Sequence, residues 1–328
     1  MYIHLTIYSL LCFFLFFLCA KISYKLNLVD LPNNRKIHSE ATAYTGGIIL
    51  SCILLFAIKI LDIFDPNLAS IISISFLISL VGFIDDKYHL NTGGKLSLQI
   101  IPIFYLIVFE NLYLNHVGDY NYFYLELGTF ALPFTLLAVL FLTNSFNYFD
   151  GLDGTLSFTV ISVLVILYFL SNNQNLNIYL LILLLPICIF LCFNFSIFKL
   201  PKIFLGDSGS LLLGFIVSFL LIYLANQNII HPILLAWSVV IFVYEFLSLN
   251  LIRLKDKKGL FKPGKDHLHY IILKKSNSIF FSNSLIFLLN LILFFLGYFS
   301  FLIFNPLISF ILYIVLFIIF FKFRNKFR

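Results

Sequence analysis

Long apolar runs recur along the whole chain and constrain its fold more than any other feature. Of the 328 residues, 61% are hydrophobic and only 11% are charged, and the mean hydropathy is +1.03. Soluble domains are about 45–50% apolar and about 25% charged. A globule of this length could not hide so much Phe, Ile and Leu from water. The composition therefore excludes a soluble enzyme, a disordered chain and a disulfide scaffold, and predicts a polytopic membrane protein.

The apolar runs predict an all-α membrane helical bundle that forms one integral membrane domain over residues 1–328. A membrane-spanning helix needs about 20 apolar residues, with a usual range of about 17–25. The eleven predicted spans are residues 3–20, 45–62, 68–84, 96–113, 130–143, 156–170, 178–195, 210–225, 229–250, 282–304 and 306–322. The fifth span is short, and Asn305–Pro306 between the last two is typical of a tight helix hairpin.

The distribution of charge predicts the orientation of these spans. If the loop after the first span is cytoplasmic, 20 of the 21 Lys and Arg residues fall on the cytoplasmic side, and only Lys59 does not. This asymmetry predicts an N-terminus outside and a C-terminus inside. The net charge of +6 then reflects topology and phosphate contacts, so no nucleic acid partner is expected. The cytoplasmic loops expected to carry the chemistry are 21–44, 85–95, 144–155, 196–209 and 251–281.

Five aspartates in these loops lie at the ends of apolar helices: Asp85, Asp86, Asp150, Asp153 and Asp207. Acids beside hydrocarbon are costly and usually mark a functional site. Together they would repel one another, and Mg²⁺, which prefers a few carboxylates and substrate phosphate oxygens, would resolve that conflict. Nearby basic groups suit a polyphosphate, and the Gly206–Gly209 turn offers free backbone N–H groups to an anion. The pattern predicts phosphoryl-type transfer at the membrane surface.

Each of these segments also has a purely structural alternative. Asp85 and Asp86 could simply end a helix, and Asp150 and Asp153 could belong to a bare glycine loop. For most lysines of residues 253–275, an anchoring role at the membrane is the stronger interpretation. Glu245 lies inside the ninth span, where it could pair internally, and is assigned no role.

Three motifs share the order of one known family. They are Asn-x-x-Asn-x-x-Asp-Gly-x-Asp-Gly at 144–154, Gly-Phe-x-Asp-Asp at 82–86 and Phe-x-Gly-Asp-x-Gly-Ser at 204–210. From about Asp30 to His269 the chain resembles the polyprenyl-phosphate N-acetylhexosamine-1-phosphate transferases, glycosyltransferase family 4, which move a sugar 1-phosphate from a UDP-sugar to a lipid phosphate. Residues 30–38 are similar to the branch that transfers GlcNAc-1-phosphate or a related sugar to undecaprenyl phosphate for O-antigen, enterobacterial common antigen or teichoic acid. The muramoyl-pentapeptide branch of peptidoglycan synthesis remains the alternative.

The resemblance implies a role for each motif residue. Asp207 would ligate Mg²⁺, with Mn²⁺ as an alternative, and Asn147 would assist. Asp85 and Asp86 would lie by the lipid phosphate, with Asp85 the candidate for accepting its proton, and Lys95 would hold that phosphate. Phe204 would stack on uracil, with Asp153 near the base and Asp150 near the nucleotide-sugar. The other implied substrate-binding residues are Arg35, Lys36, His38, Asn144, His267 and His269.

The resemblance also implies the setting of the reaction and leaves some questions open. The implied partners are a UDP-N-acetylhexosamine and undecaprenyl phosphate, in a bacterial cytoplasmic membrane with the site facing the cytoplasm; a homodimer is left open. Direct attack and an aspartyl intermediate both fit the residues, and direct attack is preferred. The family's fifth loop usually reads Pro-Asp-Arg-x-His-x-His-His, whereas Gly264, Lys265 and Tyr270 replace the Asp, the Arg and the last His here. These departures leave the sugar open.

Two activities outside this family are weaker alternatives. An aromatic prenyltransferase would need more widely spaced carboxylates in two similar repeats, and it would not need a nucleobase platform. A transporter would place its polar groups near the bilayer midplane in two related halves.

Overall fold

The chain forms a bundle of helices with two short β-hairpins. A computed structural model describes residues 2–32, 40–60, 65–257, 259, 264 and 266–326. Its helices are α1 (Tyr2–Lys25), α2 (Gly46–Ile60), α3 (Pro66–Tyr88), α4 (Thr92–Val108), α5 (Ala131–Phe149), α6 (Thr155–Leu170), α7 (Gln174–Asn194), α8 (Gly206–Asn226), α9 (Pro232–Ser238), α10 (Val240–Lys255), α11 (Leu268–Ser276), α12 (Ile279–Ile303) and α13 (Pro306–Lys326). The antiparallel strand pairs are β1 (Val29–Asp30) with β2 (Thr42–Ala43), and β3 (His116–Asp119) with β4 (Tyr124–Glu126). The predicted all-α membrane architecture is confirmed.

Each of the eleven predicted spans coincides with an apolar helix or a bent pair of helices. In the described part of the chain, seven helices are long and apolar enough to cross a membrane, and α9 with α10, bent by 71°, make an eighth if they form one span. The remaining three, α2, α4 and α6, are shorter apolar helices. The number of crossings and their orientation therefore stay predictions. The fifth span is longer than expected, because α5 continues through the motif residues Asn144 and Asn147 to Phe149.

Helix α8 forms the centre of the bundle and is almost wholly buried. Helices α2, α3 and α5 pack around it. Two glycines allow the backbones to approach closely: an added Cβ on Gly47 would lie 1.9 Å from the Gly209 nitrogen, and one on Gly82 would lie 2.4 Å from the Asp207 carbonyl oxygen. The start of α8 is thus held directly against α2 and α3.

The turn that leads into α8 is fixed to the segment that leads into α2. The Phe204 N–H donates to the Ala43 carbonyl (2.7 Å), and the Gly46 N–H donates to the Phe204 carbonyl (3.0 Å). The Gly47 N–H donates to the Leu205 carbonyl (2.9 Å). These bonds satisfy backbone groups that would otherwise be buried unpaired, and they fix the approach to Asp207.

We expect Gly82→Ala to lower the thermal stability of the protein. The new methyl group would meet the backbone of Asp207 and Ser208, which cannot rotate away, so α3 and α8 must separate. Overpacking of this kind costs about 1–3 kcal/mol. Gly93→Ala is the matched control, because its nearest neighbour would be the Asn91 Oδ1 at 3.6 Å. Melting curves in detergent measure both; a Gly82→Ala variant that melts with the wild type contradicts the expectation.

Candidate functional site

Residues from several separate segments line one pocket of about 690 Å³. Its acidic lining residues are Asp30, Glu40, Asp85, Asp86, Asp150, Asp153 and Asp207. Asp85, Asp150 and Asp207, which belong to three different sequence motifs, thus line the same pocket. Lys202, Phe204 and Tyr270 line the same pocket, so it presents basic and aromatic groups beside the acids.

Lys95 joins two of the acids. Its ammonium group lies 2.8 Å from Asp85 Oδ2 and also forms an ion pair with Asp207. Local structure places it there: α3 ends at Tyr88, and the Asn91 side chain caps α4 by accepting the Gly94 N–H at 2.8 Å. Asp85 also accepts the Leu90 N–H at 2.8 Å. The Asp85 and Asp207 carboxylates therefore converge on one positive charge.

Asn147 of α5 orients the Asp207 carboxylate, which lies on α8. Its side-chain NH₂ group donates to Asp207 Oδ1 at 2.8 Å and to Ser210 Oγ at 2.8 Å. Asp207 thus has one carboxylate oxygen bound by Asn147 of α5 and the other by Lys95 of α4. This double restraint fixes the carboxylate on the first turn of α8.

Asp86 caps the N-terminus of α8. Its carboxylate accepts the N–H groups of Asp207 (2.9 Å) and Ser208 (3.2 Å). An acid at this end of a helix is favoured by the helix dipole and by the unpaired N–H groups. The expectation that the Gly206–Gly209 turn offers free N–H groups to an anion is wrong for these two groups, because Asp86 already binds them.

Lys202 is a site residue that the sequence analysis did not single out. Its ammonium group lies 2.6 Å from Asp153 Oδ2 and 5.3 Å from the centroid of the Phe204 ring. The family resemblance implies substrate roles for Lys36 and Lys95 but none for Lys202. The only sequence signal for Lys202 is its position two residues before Phe204. Lys202 thus connects Asp153, in the loop 144–155, to Phe204, in the loop 196–209.

The surroundings of Asp150 raise the pKa of its carboxyl group. Burial disfavours its charged form, and the carboxylates of Asp207 and Asp153 add repulsion, so the pKa of Asp150 is raised to about 8. A protonated carboxyl group is a hydrogen-bond donor as well as an acceptor. Asp150 therefore presents a neutral group at the centre of an acidic pocket.

Tyr270, rather than either predicted histidine, brings the fifth loop to the pocket. His267 and His269 are 8% and 1% exposed, and their rings stack with centroids 5.5 Å apart. Burial holds the pKa of His269 well below its usual value, and among the described residues its Nε2 has no hydrogen-bond partner. Tyr270 donates its hydroxyl hydrogen to the Gly151 carbonyl at 2.8 Å. Substrate contact by the histidines stays a prediction.

The other predicted substrate residues are not part of the described pocket wall. Asn144 is 8% exposed and donates to the Gln99 Oε1 at 2.8 Å, so in the described structure it links α5 to α4. Arg35, Lys36 and His38 lie outside the described residues.

The donor groups of the pocket suit a divalent cation that also binds substrate. The described residues contain no cluster of three or more His, Cys, Asp or Glu side chains arranged for a metal ion. Mg²⁺ needs only one or two protein carboxylates when substrate phosphates complete its coordination. Asp207 fits that requirement, because its carboxylate already faces the positive charge of Lys95 and is held in place by Asn147.

Comparisons with known proteins show which sequences are similar to this chain. The family model for glycosyl transferase family 4 matches residues 68–225. The chain is 29% identical over 280 residues to the undecaprenyl-phosphate alpha-N-acetylglucosaminyl 1-phosphate transferase of Escherichia coli strain K12, covering 82% of this chain and 75% of the relative. It is 30% identical over 257 residues to the probable undecaprenyl-phosphate N-acetylglucosaminyl 1-phosphate transferase of Bacillus subtilis, covering 76% and 71%.

The raised pKa of Asp150 predicts a contribution to the pH dependence of stability that Asp150→Asn removes. An unfolded Asp loses its proton near pH 3.9, whereas the folded protein holds this proton until about pH 8. Unfolding between these values releases a proton, so the wild type loses stability as the pH rises. In divalent-free buffer, the Tm of Asp150→Asn relative to wild type should be higher at about pH 9 than at about pH 5. A difference in Tm that does not change with pH contradicts this.

Proposed function

The chain belongs to glycosyl transferase family 4, and we propose that it transfers an N-acetylhexosamine 1-phosphate from a UDP-sugar to undecaprenyl phosphate, with release of UMP. The observation that carries this proposal is the meeting of Asp85, Asp150 and Asp207 around one pocket that also holds Lys202 and Phe204. A volume of about 690 Å³ suits a small-molecule site, since ligand pockets are usually about 300–1,000 Å³.

The donor nucleotide is assigned to the side of the pocket formed by Phe204, Lys202 and Asp153. The Phe204 ring offers an apolar face to the uracil base. Lys202 fixes Asp153 through the 2.6 Å ion pair, so that the Asp153 carboxylate is held near that base. Asp150, protonated at neutral pH, donates a hydrogen bond to a diphosphate oxygen where an ionised carboxylate would repel it.

The acceptor phosphate is assigned to Lys95 and Asp85. Lys95 supplies the positive charge, and Asp85 is the candidate for taking a proton from the lipid phosphate. Asp207, held by Asn147, is the residue assigned to Mg²⁺, with Mn²⁺ as an alternative. When bound, the ion would neutralise diphosphate charge. Asp86 supports Asp207 by fixing the N-terminus of α8.

The reaction we favour is a direct attack. An oxygen of the lipid phosphate forms a bond to the β-phosphorus of the UDP-sugar, and the bond between the β-phosphorus and the bridging oxygen breaks. UMP leaves with that oxygen. An aspartyl intermediate would require one carboxylate to be free to attack, whereas Asp85 and Asp207 share Lys95 and Asp86 caps α8. These contacts favour positioning and proton-accepting roles for the three carboxylates.

We place the reaction at the cytoplasmic face of a bacterial inner membrane, at the start of a cell-surface glycan. The positive-inside distribution of Lys and Arg supports that side. The named relatives are GlcNAc-1-phosphate transferases, which favours this branch over the muramoyl-pentapeptide branch. A prenyltransferase or a transporter is not favoured, because the acids gather in one pocket beside an aromatic ring and a lysine.

The purified protein should release UMP from UDP-GlcNAc or a related UDP-HexNAc when undecaprenyl phosphate and Mg²⁺ are present. Asp207→Asn should lower the rate about a hundredfold or more, because it removes the carboxylate assigned to the metal ion that would neutralise the reacting diphosphate. Asp119→Asn, on the exposed outer hairpin, is the matched control and should keep the wild-type rate. Coupled UMP detection measures the rate, and EDTA should stop it. Absence of UMP release with every UDP-HexNAc rejects the proposal.

Lys202→Met should raise the KM for the UDP-sugar by about tenfold, because Asp153 would no longer be held in place and a displacement of about 1 Å is costly in catalysis. The change removes the partner of Asp153 and the cation above Phe204. Lys199→Met removes the same charge from an exposed position three residues away and should leave the KM unchanged. Initial rates over a range of UDP-sugar concentrations make the comparison. Equal KM values for the two variants would refute the assignment of Lys202.

A further inference from the structure

A buried ion pair connects the last helix to the centre of the bundle. Glu245 on α10 is 1% exposed, and Arg324 on α13 is 5% exposed. The Arg324 guanidinium donates from Nε to Glu245 Oε2 (2.6 Å) and from its NH2 nitrogen to Oε1 (2.7 Å). Such a bidentate pair fixes the relative orientation of the two side chains as well as their distance.

The position of α13 makes this pair unusual. Ser309 and Arg324 are the fully buried residues in the described part of α13, whose other side chains are exposed or only partly buried. Burying two charges is expensive, and an apolar pair of similar size would often stabilise a protein at least as well. Stability alone is therefore a weak explanation for a guanidinium that reaches inward from a peripheral helix.

The same two side chains bind the backbone of the fifth loop. Arg324 donates a further hydrogen bond to the Asp266 carbonyl at 2.7 Å, and Glu245 Oε1 accepts the Leu268 N–H at 3.0 Å. The Asp266 side chain is bound in turn by Arg253 at 2.8 Å. The segment from Asp266 to Leu268 is thus fixed at two backbone groups and one side chain, directly before His269 and Tyr270.

His269 and Tyr270 contact Gly151, which lies in the pocket wall. The Tyr270 hydroxyl donates to the Gly151 carbonyl at 2.8 Å. The His269 ring packs so closely that a Cβ on Gly151 would lie 2.3 Å from its Nε2. Gly151 follows Asp150 and precedes Asp153, so the position of the fifth loop sets the position of both pocket acids.

We propose that Arg324 and Glu245 are positioning residues that hold residues 266–270 against residues 150–153 and so keep the nucleotide-sugar side of the pocket in shape. The inference rests on the proposed function, since it concerns the donor site of that reaction. The end of the last helix then acts on catalysis without touching substrate. Glu245, Arg324 and the fifth loop all lie outside residues 68–225, which carry the family match.

The test compares Arg324→Gln with Lys322→Gln, which removes the same charge from an exposed position on the same helix. Arg324→Gln should raise the KM for the UDP-sugar about tenfold while the KM for undecaprenyl phosphate stays near wild type, because displacement of remote groups by about 1 Å is costly in catalysis. Lys322→Gln should keep both values. Hydrogen–deuterium exchange of the Leu268 amide should speed up in Arg324→Gln only.

Arg324→Lys covers the case in which Arg324→Gln does not fold. Lysine keeps the charge beside Glu245 but cannot make the three guanidinium hydrogen bonds at once, so it should fold and still show the raised KM and the faster exchange. Wild-type KM and exchange in whichever Arg324 variant folds overturn the inference. If the wild type releases no UMP, the proposed function fails, and the Leu268 exchange still reports whether Arg324 fixes the loop.

Discussion

Crowded carboxylates at one end of a bundle of apolar helices are the constraint on which the rest of the structure depends. Each acid is accommodated differently. Asp85 and Asp207 share Lys95, and Asp86 binds the backbone N–H groups that open α8. Asp153 pairs with Lys202, and Asp150 retains its proton. The pocket therefore offers positive charge, negative charge and a neutral donor at once, as a diphosphate and its counter-ion require.

This arrangement of charges depends on how closely the helices approach one another. Gly47 and Gly82 allow α2 and α3 to contact the backbone of α8, so Asp86 can reach the N–H groups of α8 from a neighbouring helix. The bond from the Phe204 N–H to the Ala43 carbonyl fixes the turn before Asp207 in the same way. The close packing of the helix backbones therefore also determines where the charges of the site lie. A side chain added at either glycine would displace the carboxylates as well as the helices.

The sequence predicted the helices and the meeting of the acids because both follow from local or additive signals. Apolar run length marks a span, and the sum of Lys and Arg in each loop marks a side. Lys202 could not be distinguished from other cytoplasmic lysines, because its role depends on Asp153, 49 residues away. The capping of α8 by Asp86 and the pairing of Arg324 with Glu245 join residues 121 and 79 positions apart. Such pairs become visible only when the helices are packed.

Where the fifth loop departs from the family pattern, the structure shows other contacts in its place. The loop lacks the usual Asp-Arg pair, yet Asp266 and Arg253 form an acid–guanidinium pair at 2.8 Å beside it. Where the last His is usual, Tyr270 places a neutral hydroxyl on the Gly151 carbonyl. A His could change its charge near neutral pH at this position, whereas a tyrosine hydroxyl does not. The hydrogen bond by which Tyr270 links the fifth loop to the third therefore does not change with protonation near neutral pH.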